Sequence, residues 1–391
     1  MIVFNAVGRG TYWRAFHLAR CLVSRGNHVT LLAMAPERTA CFSYQVVQGV
    51  CVVAAPDLLW GSLRSGWDPY SALLRAFWLR PHRYDMIHAF ECRPTVLLPA
   101  LAASCHPPTQ LVTDWCDWFG AGGSVEERLN PLVRVILRPI ETFFEERFRG
   151  LAAGTTVICS TLREKALALG LPAARILDLR DGADVEQIVP GDRAAARATL
   201  GLPEAAPIIG YVGQIFPRDA RLMAEAFTAV RATRPAARLL LIGHVNQDIE
   251  GMLHDPSHVV RSGAVPYAAL NTYLAACDIC WLPMRDSGAN RGRWPLKLND
   301  YMAAGRATAA TAVGDVTDVL TRHAVGLLAR DDPAALAWAA VTLLSDTTRR
   351  TAMESVARET AETVFDWRLR AVELEAFYHT VLATPKRQAR P

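Results

Sequence analysis

The chain has 391 residues, 51% hydrophobic and 20% charged, a composition that excludes intrinsic disorder and suffices for two or three separately packed domains. Forty-two basic against 38 acidic residues leave a net charge of +4, too small and too dispersed for a nucleic-acid surface, and no RNA- or DNA-binding signature is present. The nine cysteines are scattered; only Cys277-Asp-Ile-Cys280 has metal or redox spacing. Without a second pair it reads as buried apolar packing in a reducing compartment.

From the N-terminus, Met-Ile-Val-Phe-Asn lacks the basic region and cleavage site of a signal peptide and reads as a first strand. Strands are expected near Ile2–Asn5, His28–Ala33, Val50–Ala54, Asp85–His88, Gln110–Thr113 and Thr155–Cys159. Helical patterns separate them, among them Thr11–Ser24 and the long charged stretch Ser124–Arg149. Residues 94–113 carry no Asp, Glu, Lys or Arg, yet their four prolines and a histidine argue against a membrane span. A cytoplasmic protein is expected. Within Leu129–Arg149, apolar residues mixed with Arg134, Arg138, Arg147 and Arg149 suit either peripheral contact with a membrane surface or packing on the domain itself, and Glu141, Glu145 and Glu146 weaken the first.

Residues 182–200 are turn-rich and read as a hinge. A second series of strands follows at Ile208–Val212, Leu239–Ile242, Val259–Arg261, Ile279–Leu282 and Thr308–Ala312, again separated by helices. Alternating strands and helices specify an α/β fold of two Rossmann-like domains with parallel sheets. The expected boundaries are residues 1–182, completed by a C-terminal helix at 366–385, and residues 183–365. The expected ligand site is a central cleft that the sheets face.

Three places could carry chemistry. Strand one runs into Gly8-Arg9-Gly10, half of a dinucleotide fingerprint, with Trp13 where a third glycine belongs and no acid closing strand two. That argues against NAD and for a turn allowing close approach of a ligand. In the second half, Gly213-Gln214 and Gly243-His244 each follow a strand. The segment Asn290–Gly305 is the most informative. Arg291, Arg293 and Lys297 lead into a helix begun at Pro295, and Asp300 lies one turn further in. Cations at a helix N-terminus make a phosphate clamp, and the acid suits a pair of hydroxyls such as a ribose.

These features, in this order, resemble the nucleotide-sugar-dependent glycosyltransferases of family 4, which have the two-Rossmann GT-B fold. The resemblance rests on Ala6–Gly10 followed by Leu18–Val29, on Asp85-Met-Ile-His88-Ala, and on Asp181-Gly-Ala-Asp184 with Pro190. It continues through Gly210-Tyr-Val-Gly213, Tyr273–Asp278 with Leu282-Pro283, Lys297–Gly305 and Phe365-Asp-Trp367. It implies a donor domain in the second half, an acceptor domain in the first, and transfer from a nucleoside-diphosphate sugar to an acceptor hydroxyl with retention, without a cofactor or metal. By the resemblance Lys297 contacts the diphosphate, Asp300 binds the nucleotide ribose, and Gly213 lies where the backbone approaches the phosphate.

The departures are specific. Gly292 stands where the first acid of the E-x7-E motif falls by strict spacing, leaving Asp286 or Asn290 to contact the donor sugar. Gln214 replaces the usual Arg and Asp219 the usual Lys, with Arg218 adjacent to supply charge. Asp219 beside a diphosphate would repel it unless it turns away. In the first domain Asp114 or Asp117 could face the cleft, in a glycine-rich loop where relatives carry a His. His88 closes a strand and reads either as a core histidine or as a cleft residue. Arg293, Arg218, His88 and Asp117 thus join Lys297 as catalytic candidates. Gly213, Gln214, Asn290, Asp300, Gly243 and Asp286 form the donor-binding set, and Gly8, Gly10 and Asp114 the acceptor side. The alternatives are a nucleotide-sugar epimerase or hydrolase of the same fold and a non-catalytic partner subunit.

Overall fold

The computed structural model describes residues 1–59, 61, 64–105 and 108–384. Its contacts divide the chain into two compact units, Met1–Asp181 with Trp367–Pro391, and Gly182–Asp366. The first unit holds strands β1 (Ile2–Ala6), β2 (Thr30–Met34), β3 (Ser43–Val47), β4 (Val50–Ala55), β5 (Met86–Phe90), β6 (Gln110–Trp115), β7 (Gly154–Val157) and β8 (Ile176–Asp178). They form one sheet in the order β3-β4-β2-β1-β5-β6-β7-β8. Only β3 runs antiparallel to its neighbour.

Sequence patterning missed β3 because its side chains are mostly exposed and show no buried stripe. The signal was in the turn. Gln48 and Gly49 both have positive φ, 48° and 80°, as a two-residue type I′ hairpin requires. Strand β8 has only three residues, too few to show a period. The expected helix Ser124–Arg149 divides into a 3-10 turn, Ser124–Glu127, and a helix, Pro131–Arg147. Asn130 caps that helix through the amides of Leu132 and Val133, with Pro131 at its first position. The C-terminal helix is Trp367–Ala383, and residue 385 lies outside the described residues.

The second unit holds β9 (Ile208–Val212), β10 (Arg238–Ile242), β11 (Val259–Arg261), β12 (Ile279–Leu282), β13 (Thr308–Thr311) and β14 (Gly326–Ala329). The order is β11-β10-β9-β12-β13-β14, every pair parallel. Strand β14, opened by Gly326 and four residues long, went unrecognised in the sequence. Buried residues of β9, β10 and β12 pack with helix Pro217–Thr233 and helix Pro333–Ser345 into one apolar core. Gly210 is required in β9, since a Cβ there would lie 2.4 Å from Cys277 Sγ.

In this doubly wound order the strand sequence reverses between β9 and β12, and ligands of such sheets bind at the carboxyl ends of those strands. The chain passes between the units at 181–182 and again at 366–367. Ala183 donates to Phe365 O at 2.5 Å and bridges to Asp366, which brings the two crossings side by side.

Candidate active site

Strand β9 is followed by Gly213, at φ 75°, whose amide donates to Ile242 O at 2.8 Å and which turns the chain into Gln214. Strand β12 ends in the segment 283–295, which leads to helix Leu296–Ala303. Pro295 occupies the N-cap, not the first helical position expected from the sequence. Only Pro's missing N–H made that position easy to guess; the backbone enters the helix one residue later. The helix start places Lys297 beside β9. Its Nζ donates to Tyr211 Oη at 2.5 Å and to Gln214 O at 2.9 Å, and sits 3.9 Å from the Tyr211 ring centre.

Burial, then the nearby Arg293, hold the Lys297 ammonium well below its usual pKa, against the opposing pull of Asp219 and Asp300. Arg293 stacks on Phe216 with its guanidinium carbon 4.4 Å from the ring centre, and its Nη2 lies 3.4 Å from Asp219 Oδ2. Two cations and the first amides of a helix therefore meet at the β9–β12 reversal, a ready anion site. Arg218 is exposed on helix Pro217–Thr233, with no hydrogen bond or ion pair among the described residues.

The acid that the sequence placed next to the phosphates has turned away. Asp219 is 1% exposed and accepts from the Arg285 amide at 2.7 Å and from Asn290 Nδ2 at 2.9 and 3.1 Å. The Asn290 amide nitrogen is therefore committed to Asp219 and to Arg285 O, while its buried Oδ1 has no partner among the described residues. Asp286 is exposed and chelated by Arg291, at 2.5 and 2.6 Å. Arg291 thus neutralises a neighbouring acid. Asp300 is buried on helix Leu296–Ala303. Gly243, at φ 79°, follows β10 and its amide donates to Ser262 Oγ at 2.9 Å.

In the first unit, Gly8 and Gly10 (φ 79° and 54°) form an exposed turn between β1 and helix Thr11–Ser24. Two sequence candidates need correction. Asp114 lies on β6, not in a loop, and is fully buried: Arg14 grips both its oxygens at 2.9 and 3.0 Å, and Thr156 donates to it as well. Those bonds hold the carboxyl below its usual pKa despite burial. His88 is 1% exposed, with Nδ1 2.7 Å from Tyr378 Oη and Nε2 3.1 Å from Thr156 Oγ1. Burial lowers it to about 3, so it is a neutral core histidine. Asp117 is half-buried, and its amide donates to Glu91 at 3.0 Å.

Sequence reasoning missed Glu91 and Tyr211. Glu91 follows β5 at φ 71°, and its buried carboxyl accepts from the amides of Cys116 and Asp117. Burial pushes it up to about 8. Glu91 is marked in the sequence only by following a strand, and Tyr211 only by lying in the motif Gly210–Gly213. Lysine itself was a usable signal: of 42 basic residues only Lys165, Lys297 and Lys386 are lysines.

Residues 9–182 match the model of the glycosyl transferase 4-like domain, and residues 206–346 match that of glycosyl transferases group 1. The chain belongs to the family 4 glycosyltransferases. It is similar to a D-inositol 3-phosphate glycosyltransferase from Kribbella flavida, 29% identical over 55% of this chain and 53% of that protein. The homologue from Stackebrandtia nassauensis is 30% identical over 50% and 47%. The chain spans about half the length of the curated relatives it matches. Sucrose-phosphate synthase from Thermosynechococcus elongatus shares its fold with a TM-score of 0.75, at 20% identity, over 96% of this chain and 94% of that one. Anabaena HepE, solved with UDP and glucose, gives 0.70 at 16% identity over 97% and 98%.

Proposed function

We propose that this family 4 glycosyltransferase moves a sugar from a nucleoside diphosphate to an acceptor hydroxyl, with retention and without a metal or other cofactor. The observation that carries the reading is the pairing of Lys297 and Arg293 at a helix start beyond β9 and β12. As the bond from the anomeric carbon to the diphosphate oxygen breaks, negative charge builds on that oxygen, and both cations stabilise it. The acceptor oxygen bonds to the carbon on the face being vacated, and the departing phosphate takes its proton. Charge stabilisation by two side chains supports a metal-independent route.

Thermal shifts with UDP, GDP, dTDP, ADP and NAD test this reading. At 100 times its Kd a ligand adds about 2.7 kcal/mol, which at about 2–4 °C per kcal/mol is readily seen. A shift with one nucleoside diphosphate that Lys297→Ala abolishes supports it, and no shift with any of them overturns it. The names of the relatives make D-inositol 3-phosphate the first acceptor to assay.

We further propose action in the cytoplasm with peripheral contact at a membrane surface. No helix of the described residues is long and apolar enough to cross a membrane. Helix Pro131–Arg147, however, is amphipathic in the inverted sense. Its buried residues are Glu141 and Glu145, which accept from Arg93, Trp115 and the Phe119 and Gly120 amides. Leu132, Val135, Ile136, Ile140 and Phe143 are exposed beside Arg134 and Arg138. The glutamates that weakened the membrane reading in the sequence face the unit's interior, apart from half-buried Glu146, which pairs with Lys165. Cosedimentation with anionic vesicles, reduced by Ile136→Ser, is the expected result.

A further inference from the structure

Residues 285–293, between β12 and the helix that carries Lys297, contain only the short helix Gly288–Arg291. The path of this segment therefore depends on what ties it down. From outside, Asp331 accepts from the Asp286 amide at 2.8 Å and pairs with Arg285 at 3.1 Å. From inside, Asp219 takes hold at both ends, through the Arg285 amide and Asn290 Nδ2 and through Arg293. Asp219 itself is fixed in the first turn of helix Pro217–Thr233, where the helix dipole favours an acid. Donors screen its carboxylate, which answers how an acid can stand beside an anion site.

We infer that Asp219 is a positioning residue of the donor site. Its buried carboxylate sets the path of residues 285–293, aims Arg293 across Phe216, and supplies the countercharge that lets Arg293 and Lys297 stand together before an anionic ligand arrives. This rests on the donor-site reading above. Lys297 is faced by Tyr211 from β9, Arg293 from the tethered segment, Asp219 from helix Pro217–Thr233 and Asp300 from its own helix. With Asp219 neutral, two cations would meet with only Asp300 against them, and the lysine would shed its proton at lower pH. A nucleoside diphosphate would then meet one cation fewer.

The three lysines make the test direct. With lysine labelled at the ε-carbon, Lys297 is the signal lost in Lys297→Arg, and its titration is followed by NMR with no ligand present. Asp219→Asn is expected to lower that midpoint by about one unit and to weaken UDP binding at alkaline pH about tenfold, the equivalent of that unit. Asp219→Glu restores most of both. Asp331→Asn, which cuts the outer tie of the same segment, leaves the midpoint in place. Arg293→Gln, which keeps the buried acid and serves if Asp219→Asn does not fold, raises it. A folded Asp219→Asn protein with an unmoved midpoint or unchanged UDP affinity overturns the proposal, as does an unmoved midpoint in Arg293→Gln. Because the titration needs no donor, failure of the wild type to bind any nucleoside diphosphate would sink the transferase reading separately.

Discussion

Both sheets reverse their strand order at one point, beyond β1 and β5 in the first unit and beyond β9 and β12 in the second, yet the two edges treat charge differently. In the first, Arg14 is 3% exposed and holds Asp114, Asp181 at 2.7 Å and Leu179 O at 2.7 Å. Arg14, Asp114 and Asp181 close on one another there, and burial keeps His88 neutral. In the second, Lys297 donates among the described residues only to neutral oxygens, and Arg293 meets Asp219 at a long 3.4 Å. A closed network fixes backbone, whereas a cation left on neutral acceptors can transfer its hydrogen bonds to an incoming anion. The same topology thus gives one edge a structural network and the other a binding capacity.

Breaking the closed network should have the largest effect. Arg14→Ala leaves two buried carboxylates without their shared cation and is expected to cost about 3–5 kcal/mol, read from denaturant unfolding. A cost near that of an ordinary surface change would mean that water enters the edge and that the contrast is false. Lys297→Ala should lower turnover about a hundred- to a thousandfold with little change in unfolding; a loss below threefold removes Lys297 from the reaction.

The third effect is a pH slope. His88 titrates near 3 in the folded unit against 6.5 ordinarily, so the unfolded chain takes up a proton as pH falls below 6.5 and the folded one does not. Its contribution to stability is complete above pH 6.5 and is lost towards pH 3. Unfolding measured between pH 7 and 4 should lose up to about 1.4 kcal/mol per pH unit of this slope in His88→Gln. An identical slope in the variant would place His88 in contact with water. The smallest expected change is Ile136→Ser, within about 0.5 kcal/mol of wild type, because the side chain already faces solvent. A large loss would show that the inverted helix face is covered.

Much of the fold was legible because parallel sheets buried on both faces leave continuous apolar runs between helical periods. The runs at Ile208–Val212 and Ile279–Leu282 gave β9 and β12 residue for residue. Strands β3, β8 and β14 were not legible, being exposed or too short for any period to show. In the site, Lys297 was marked by its place after Pro295, where helix chemistry is local. Asp114 was misplaced, and His88 stayed open between core and cleft, because the end of a strand looks the same in sequence whether its side chain meets a ligand or a buried partner.

The sequence by itself determined the two α/β units, their family and the helix start that carries the cation, since these rest on periodicity and on contacts between near neighbours in the chain. Tertiary structure alone decided which charges remain available. Arg14 meets Asp114 across 100 residues, and Arg293 meets Asp219 across 74. The inward turn of Glu141 and Glu145 likewise depends on Arg93 and Trp115, which other strands and loops bring beneath the helix. A charge's role depends on its partner and its exposure, and pairings over such separations leave no local pattern to read.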